Sequence, residues 1–367
     1  MKRLIIIFFI LILSANGIAQ SKDSSKRTNI SLDYMFGIIY AHHEDFKYFI
    51  EDYVQGFEIN YSLRTQSKKI WQQIYNYPET GFGYTYINFG NPEILGSANA
   101  VFTFINVPLI EKKNCVLSSK FAIGISYLNN PFDLYNNNYN IAIGSHINAY
   151  LNINFDFKIR IYKQWMLLSG FGLTHFSNGG TTKPNKGLNM FLSSMGVSYN
   201  FEKKNFEKPS FTTHSFIKNY ELSIIYALGF TSLEAANSQK YFTSGFSVNF
   251  ERQYSYKRRY GLGLDLFYDG TLNDHIPGSM EKPQVSGIKD LMYAGGHISY
   301  DFVFGKTSFT IQVGAYFFQG QKFSEELYNR FGLKYRFAEH WIANLTLKTY
   351  WAKAKFPEIG IGYRIKW

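Results

Sequence analysis

Residues 146–161, HINAYLNINFDFKIRI, alternate with a period of two. Ile147, Ala149, Leu151, Ile153, Phe155 and Phe157 share one face, and His146, Asn148, Asn152, Asn154 and Asp156 share the other, with Tyr150 among them. Successive side chains of a strand point to opposite sides, so this segment is a strand with one apolar and one polar face. About sixteen segments read as strands, separated by polar stretches containing Gly, Asn or Pro. They begin near Asn29, Gly56, Glu79, Ala98, Val116, Gly144, Trp165, Gly187, Tyr220, Tyr241, Arg259, Ile288, Thr307, Leu327, Trp341 and Pro357. No repeat of about 40–50 residues runs through them, which argues against a propeller.

The first residues set the compartment. Met1-Lys2-Arg3 is a short basic start, Leu4 to Leu13 is unbroken apolar sequence, and Ser14 to Ala19 is small and polar. This is the layout of a secretory signal peptide over 1–19, with cleavage expected after Ala19. The apolar run is short for a bilayer-spanning helix of about 20 residues. No Cys stands at the cleavage site, which argues against a lipoprotein.

An exported chain of alternating strands, with 35 Phe and 29 Tyr, has the composition of an outer-membrane wall. Such barrels present apolar residues to lipid, polar residues to the lumen, and aromatic girdles to both interfaces. The fold class expected is all-β: a transmembrane antiparallel β-barrel of about 14–16 strands. The chain ends GIGYRIKW, an alternating strand closing on Trp367, like the terminal strand by which such barrels are recognised for insertion. The polar segment 202–219 divides the strands into two runs of about eight, 28–201 and 220–367. A single ring containing both runs is the simpler expectation. The formal charge of +11 favours acidic partners. In this compartment those are lipopolysaccharide and other outer-membrane lipids rather than nucleic acid, while a merely solvated basic surface is the plainer reading.

The stretch 173–191, LTHFSNGGTTKPNKGLNMF, carries the one constellation with chemistry in it. His175 and Ser177 are two apart, hence on one face of a strand. A Ser nucleophile needs a neighbouring base, which His supplies at neutral pH, and a third polar group usually orients the His. Asn189, at the start of the next strand, is placed for that. The face of His175 also carries Leu173, Phe171 and Leu167, with Ser169 and Trp165. The other face carries Thr174, Gly172, Gly170, Leu168 and Met166. The bulkier face is expected to meet lipid, where an unused His and Ser are costly. With both termini periplasmic, strand seven runs outward and leaves this site at the outer leaflet.

HFSNGG followed by KPNKGLN resembles the active-site region of the lipid A 3-O-deacylase (PagL) family of outer-membrane acyl hydrolases. That barrel has eight strands with the motif in its last two, which corresponds to about 28–201 here. The resemblance implies that Ser177 is the nucleophile, His175 the general base and Asn185 part of an oxyanion hole, assisted by backbone N–H groups near Asn178 and Gly179. Asn189 stands where the best-known form has Glu. Asn accepts a hydrogen bond from imidazole but stabilises imidazolium less well than a carboxylate does. A slower hydrolase, recruitment of another acid, and loss of activity are the three outcomes left open. The other functional readings are a channel or porin, since wide barrels hold aqueous pores, and a structural barrel with a decayed site.

No cofactor or metal is expected. No dinucleotide fingerprint or phosphate loop appears. Asp274-His275 reads as a surface turn, and His42, His43, Glu44 and Asp45 as a solvated outer loop. Cys115, the single cysteine, forms no internal disulfide and reads as a packing residue. Oligomeric state is not legible.

Overall fold

Strands that alternate apolar and polar must pair on both edges to exist in a bilayer, because no water is available to satisfy an open edge. The computed structural model resolves this by closing two rings. It describes residues 26–367 apart from 42–43, 66–68, 203–214, 236–238, 276–282, 323–324 and 352. The signal segment 1–19, His42 and His43, and most of the polar connection lie outside the described residues.

The first ring contains β1 (Lys26–Ile39), β2 (Val54–Thr65), β3 (Glu79–Asn88), β4 (Ser97–Glu111), β5 (Cys115–Leu128), β6 (Ile147–Tyr162), β7 (Trp165–Ser177) and β8 (Leu188–Asn200). The second contains β9 (Asn219–Thr231), β10 (Tyr241–Gln253), β11 (Arg258–Asp269), β12 (Met292–Phe304), β13 (Thr307–Gln319), β14 (Leu327–Arg336), β15 (Trp341–Tyr350) and β16 (Lys353–Lys366). Within each ring every strand pairs antiparallel with its sequence neighbours, β8 returns to β1, and β16 returns to β9. The sixteen strands are those expected, but a single ring of 14–16 is overturned. Period-two patterning fixes which face a residue takes, and it carries no information about which strand closes the seam. The chain correspondingly divides into two compact units. One is 1–177 with 187–212, and the other is 178–186 with 213–367.

Eight strands enclose an interior just wide enough for side chains to fill, and both lumens are filled. In the first, Glu58 ion-pairs with Lys120, accepts from Asn60 Nδ2 at 2.8 Å, and meets Tyr150 Oη at 3.4 Å. A cavity of about 40 Å³ lies among polar residues including Asp33, Glu58, Asn60 and Lys120, room for water rather than a channel. Beyond this polar belt, Phe89, Phe102, Tyr150, Phe176 and Met190 belong to an apolar cluster. The second lumen holds Arg330 between Asp265 (2.9 Å) and Glu358 (3.0 Å), and Lys334 on Glu251 (2.8 Å). Fully buried Lys348 lies over the rings of Phe267 (4.4 Å), Tyr293 (4.8 Å) and Tyr350 (4.9 Å).

Loop lengths orient both rings. The connections after even strands include Lys163–Gln164 after β6, Tyr254–Lys257 after β10 and Gly305–Lys306 after β12. Those after odd strands include 129–146 after β5, 178–187 after β7 and 270–291 after β11. Short turns are periplasmic and long loops face outward in outer-membrane barrels, so, with 66–78 after β2 and the two-residue turn after β15 as the exceptions, the loop lengths set odd strands running outward. A belt of outward aromatics marks the short-turn end, with Trp165 on Tyr199 (5.0 Å), Tyr220 on Phe250 (5.7 Å) and Trp341 on Tyr363 (5.4 Å).

Candidate active site

The alternation of β7 decides where the site points. Met166 and Leu168 are buried inside the ring, whereas Trp165, Leu167 and Phe171 are exposed on its outer wall. His175 and Ser177 share the outer face, as the pattern in the sequence requires. The antiparallel register sets His175 opposite Asn189 on β8 and opposite Leu151 on β6, with Ser177 opposite Ala149. Between them Phe176 points inward, fully buried against Phe89 (5.6 Å) and Tyr150 (5.4 Å). That packing anchors the strand end that carries both reactive side chains.

His175 Nδ1 lies 2.7 Å from Asn189 Oδ1. A carboxamide oxygen only accepts, so Nδ1 carries a proton; in the neutral ring the lone pair is then on Nε2, the form a general base requires. Ser177 is only 7% exposed although it faces outward, so it lies in a covered position rather than on open wall.

The loop after β7 belongs to the second compact unit. Asn178 Oδ1 accepts from the N–H groups of Gly180 (3.0 Å) and Thr182 (3.3 Å), tying the turn to its first residue. The Asn178 N–H donates to Asn185 Oδ1 at 3.0 Å. Two expected oxyanion elements thus bond to each other, and Asn178 N–H is occupied. With its oxygen held, Asn185 presents Nδ2 as its free end. Gly179 N–H and Asn185 Nδ2 have no partner among the described residues. Gly180 has φ +91°, and a Cβ there would come within 2.7 Å of Lys355 O. Thr231 Oγ1 and the Ser232 N–H both donate to Gly180 O (2.8 and 3.4 Å), and Lys183 N–H donates to Ser232 Oγ (3.1 Å). These anchors lie some 50 residues downstream of the motif, and no local signal in the sequence marks them.

A second residue missed by sequence reasoning is Gly187. Its φ is +78°, and a Cβ added there would stand 2.8 Å from His175 Cε1. Its N–H donates to Ala142 O at 3.0 Å. Gly187→Ala is expected to cost about 1–2 kcal/mol from the left-handed backbone alone. It is also expected to displace the imidazole, lowering kcat roughly tenfold with a smaller change in KM. Steady-state kinetics with a thermal melt would check both.

The remaining candidates are structural. Asp274 accepts from Tyr241 Oη at 2.6 Å and His275 N–H donates to Thr271 O at 2.9 Å, closing a turn. Glu44 pairs with Lys47 at 2.9 Å in an exposed turn. Half-buried Cys115 opens β5 opposite Ile159. Among the described residues no three His, Cys, Asp or Glu side chains are grouped to hold a metal.

Comparison with known proteins bears on both units. The solved structures that match include multiple-site mutants of the Rh. blastica porin. One is 11% identical, covering 93% of this chain and 100% of that chain with a TM-score of 0.18, and another is 9% identical with the same coverage and a TM-score of 0.17. Likeness at that level carries no argument. A search of the curated proteins finds no match. The family model for the lipid A 3-O-deacylase (PagL) matches residues 55–199, and that for the acyloxyacyl hydrolase C-terminal domain matches 219–367. Spanning both barrels between them, these matches show that the chain belongs to the lipid A 3-O-deacylase (PagL) family.

Proposed function

We propose that this protein is an outer-membrane ester hydrolase that removes an acyl chain from lipid A, with Ser177 as nucleophile and His175 as base. The observation that carries the reading is the 2.7 Å His175–Asn189 hydrogen bond on the outward face of β7. An oriented imidazole on a lipid-facing wall, at the long-loop end, has its substrate in the outer leaflet.

In this reading Ser177 Oγ attacks the ester carbonyl carbon while His175 Nε2 takes the hydroxyl proton. Gly179 N–H and Asn185 Nδ2 are the donors that meet the negative charge on the tetrahedral oxygen. Collapse breaks the ester C–O bond, and the imidazolium returns the proton to the departing sugar oxygen. Water, deprotonated by the same Nε2, then cleaves the acyl-serine and releases the fatty acid. Asn189 holds the Nδ1–H tautomer throughout without supplying a counter-charge. The protein acts in the outer membrane after loss of residues 1–19.

Mass spectrometry of lipid A after incubation with the detergent-folded protein tests this. Loss of the mass of one ester-linked acyl chain is expected, and an unchanged spectrum from folded protein would sink the reading. Asn189→Ala is expected to lower kcat roughly 10–100-fold with KM nearly constant, the signature of a lost orienting bond. Asn189→Glu is expected to raise kcat above the native value, since a carboxylate stabilises imidazolium. A channel reading finds no support in the two filled lumens.

A further inference from the structure

Positive charge gathers on the second unit without matching acid. Lys183 is half-buried in the 178–186 loop, and no carboxylate pairs with it among the described residues. Its nearest charged influences are Lys353 and Lys355. Burial, and then these two ammonium groups, push Lys183 down to about 8. Lys353, exposed at the start of β16, likewise has no acidic partner among the described residues. Lys240 places Nζ 2.6 Å from Thr181 O and 2.9 Å from Thr182 Oγ1, so a third ammonium sits on the same turn against neutral oxygens. Only Lys355 is compensated, by Asp269 at 3.3 Å.

Like charges held together cost free energy unless an anion neutralises them. This crowding is not a loose surface scatter. The Lys183 backbone is fixed by Ser232 Oγ, and the single Thr231 hydroxyl proton is shared between Gly180 O and Lys355 O, the latter at 2.9 Å. The loop and the start of β16 are therefore laced together by bonds that keep Lys183 near Lys353 and Lys355. All three stand at the long-loop end, and Lys183 follows Ser177 by six residues in the chain.

We propose that Lys183, Lys240 and Lys353 form a binding site for a phosphate group of the glycolipid headgroup. The proposal rests on the deacylase reading for its ligand. Ammonium groups suit it as compact point charges for phosphate oxygens. The second barrel, in this view, contributes substrate recognition through its outer rim.

The test uses the full-length protein in nanodiscs and measures binding of bisphosphorylated lipid A against the same lipid after enzymatic dephosphorylation. The native protein is expected to bind the phosphorylated form at least tenfold more tightly. Lys183→Gln with Lys353→Gln is expected to level the two, and the corresponding double Arg variant to restore the preference. A native protein that does not discriminate, or a Gln variant that still does, overturns the proposal. Competition by inorganic phosphate alone at equal concentration overturns it as well, since the site would then serve a free anion. Turnover measured in parallel separates this from the hydrolase reading. Discrimination without turnover keeps the anion site and removes the hydrolase, whereas turnover without discrimination does the reverse.

Discussion

Replacing Ser177 with alanine is expected to abolish lipid A deacylation and to leave the protein folded. The expected fall in kcat/KM is roughly 10⁴-fold, about 5.5 kcal/mol of transition-state stabilisation, because in the proposed mechanism Ser177 forms the covalent bond. The stability change is expected to stay within about 0.5 kcal/mol, since only a hydroxyl at the end of β7 is lost and Phe176 still anchors that strand end. Single-turnover assays with phosphorylated lipid A, alongside circular dichroism and heat-modifiable gel mobility, separate the two effects. Retention of more than a tenth of the native rate would show that the nucleophile is another group. His175→Ala is expected to match the loss, because nucleophile and base act as a unit.

Arg330→Met is expected to destabilise the second barrel by about 3–5 kcal/mol. Arg330 bridges Asp265 and Glu358 and stacks over Phe267 at 4.7 Å. Its loss leaves two carboxylates in a lumen that also holds Glu251, Asp269 and Asp301. Asp265 keeps His297 at 2.7 Å and the Tyr328 hydroxyl, neither of which replaces a guanidinium bound to two acids. Urea unfolding in micelles, followed by the fluorescence of Trp341 and Trp367, would show the midpoint fall. A change below about 1 kcal/mol would mean that water reaches those carboxylates and shares their charge.

Residue type and spacing made the walls of both barrels legible. Strand starts at Glu79, Trp165, Tyr241, Thr307, Leu327 and Trp341 coincide with the structure, because the same alternation that signals a strand also buries one of its faces. The outward placement of His175 and Ser177 followed from the bulk of Leu167 and Phe171 against the small Gly170 and Gly172. The closing pairs were not legible. Asn29 and Asn200 meet across 171 residues, and nothing in either strand names the other. The polar segment after Phe201 lies between β8 and β9, but one ring and two rings leave the same trace in a chain. At the site, His175 and Asn189 lie opposite each other because a hairpin register follows from strand and loop lengths. Gly187 escaped notice because its contribution is the absence of a side chain. Thr231, Ser232 and Lys240 escaped because their contribution depends on a chain crossing that only the folded unit reveals.

Two closed rings also change what assembly requires. The first seam spans 171 residues between Asn29 and Asn200, and the second spans 143 between Glu221 and Arg364. Neither ring can exist until its eighth strand is available, so each passes through a stage with two unsatisfied edges. Both final strands end alike. Phe201 N–H donates to Thr28 O at 3.0 Å, and Trp367 N–H donates to Tyr220 O at 3.1 Å. In each ring an aromatic residue therefore follows the closing strand and bonds back to the start of the first. One chain thus has two long-range seams to close, each independent of the other in its pairing.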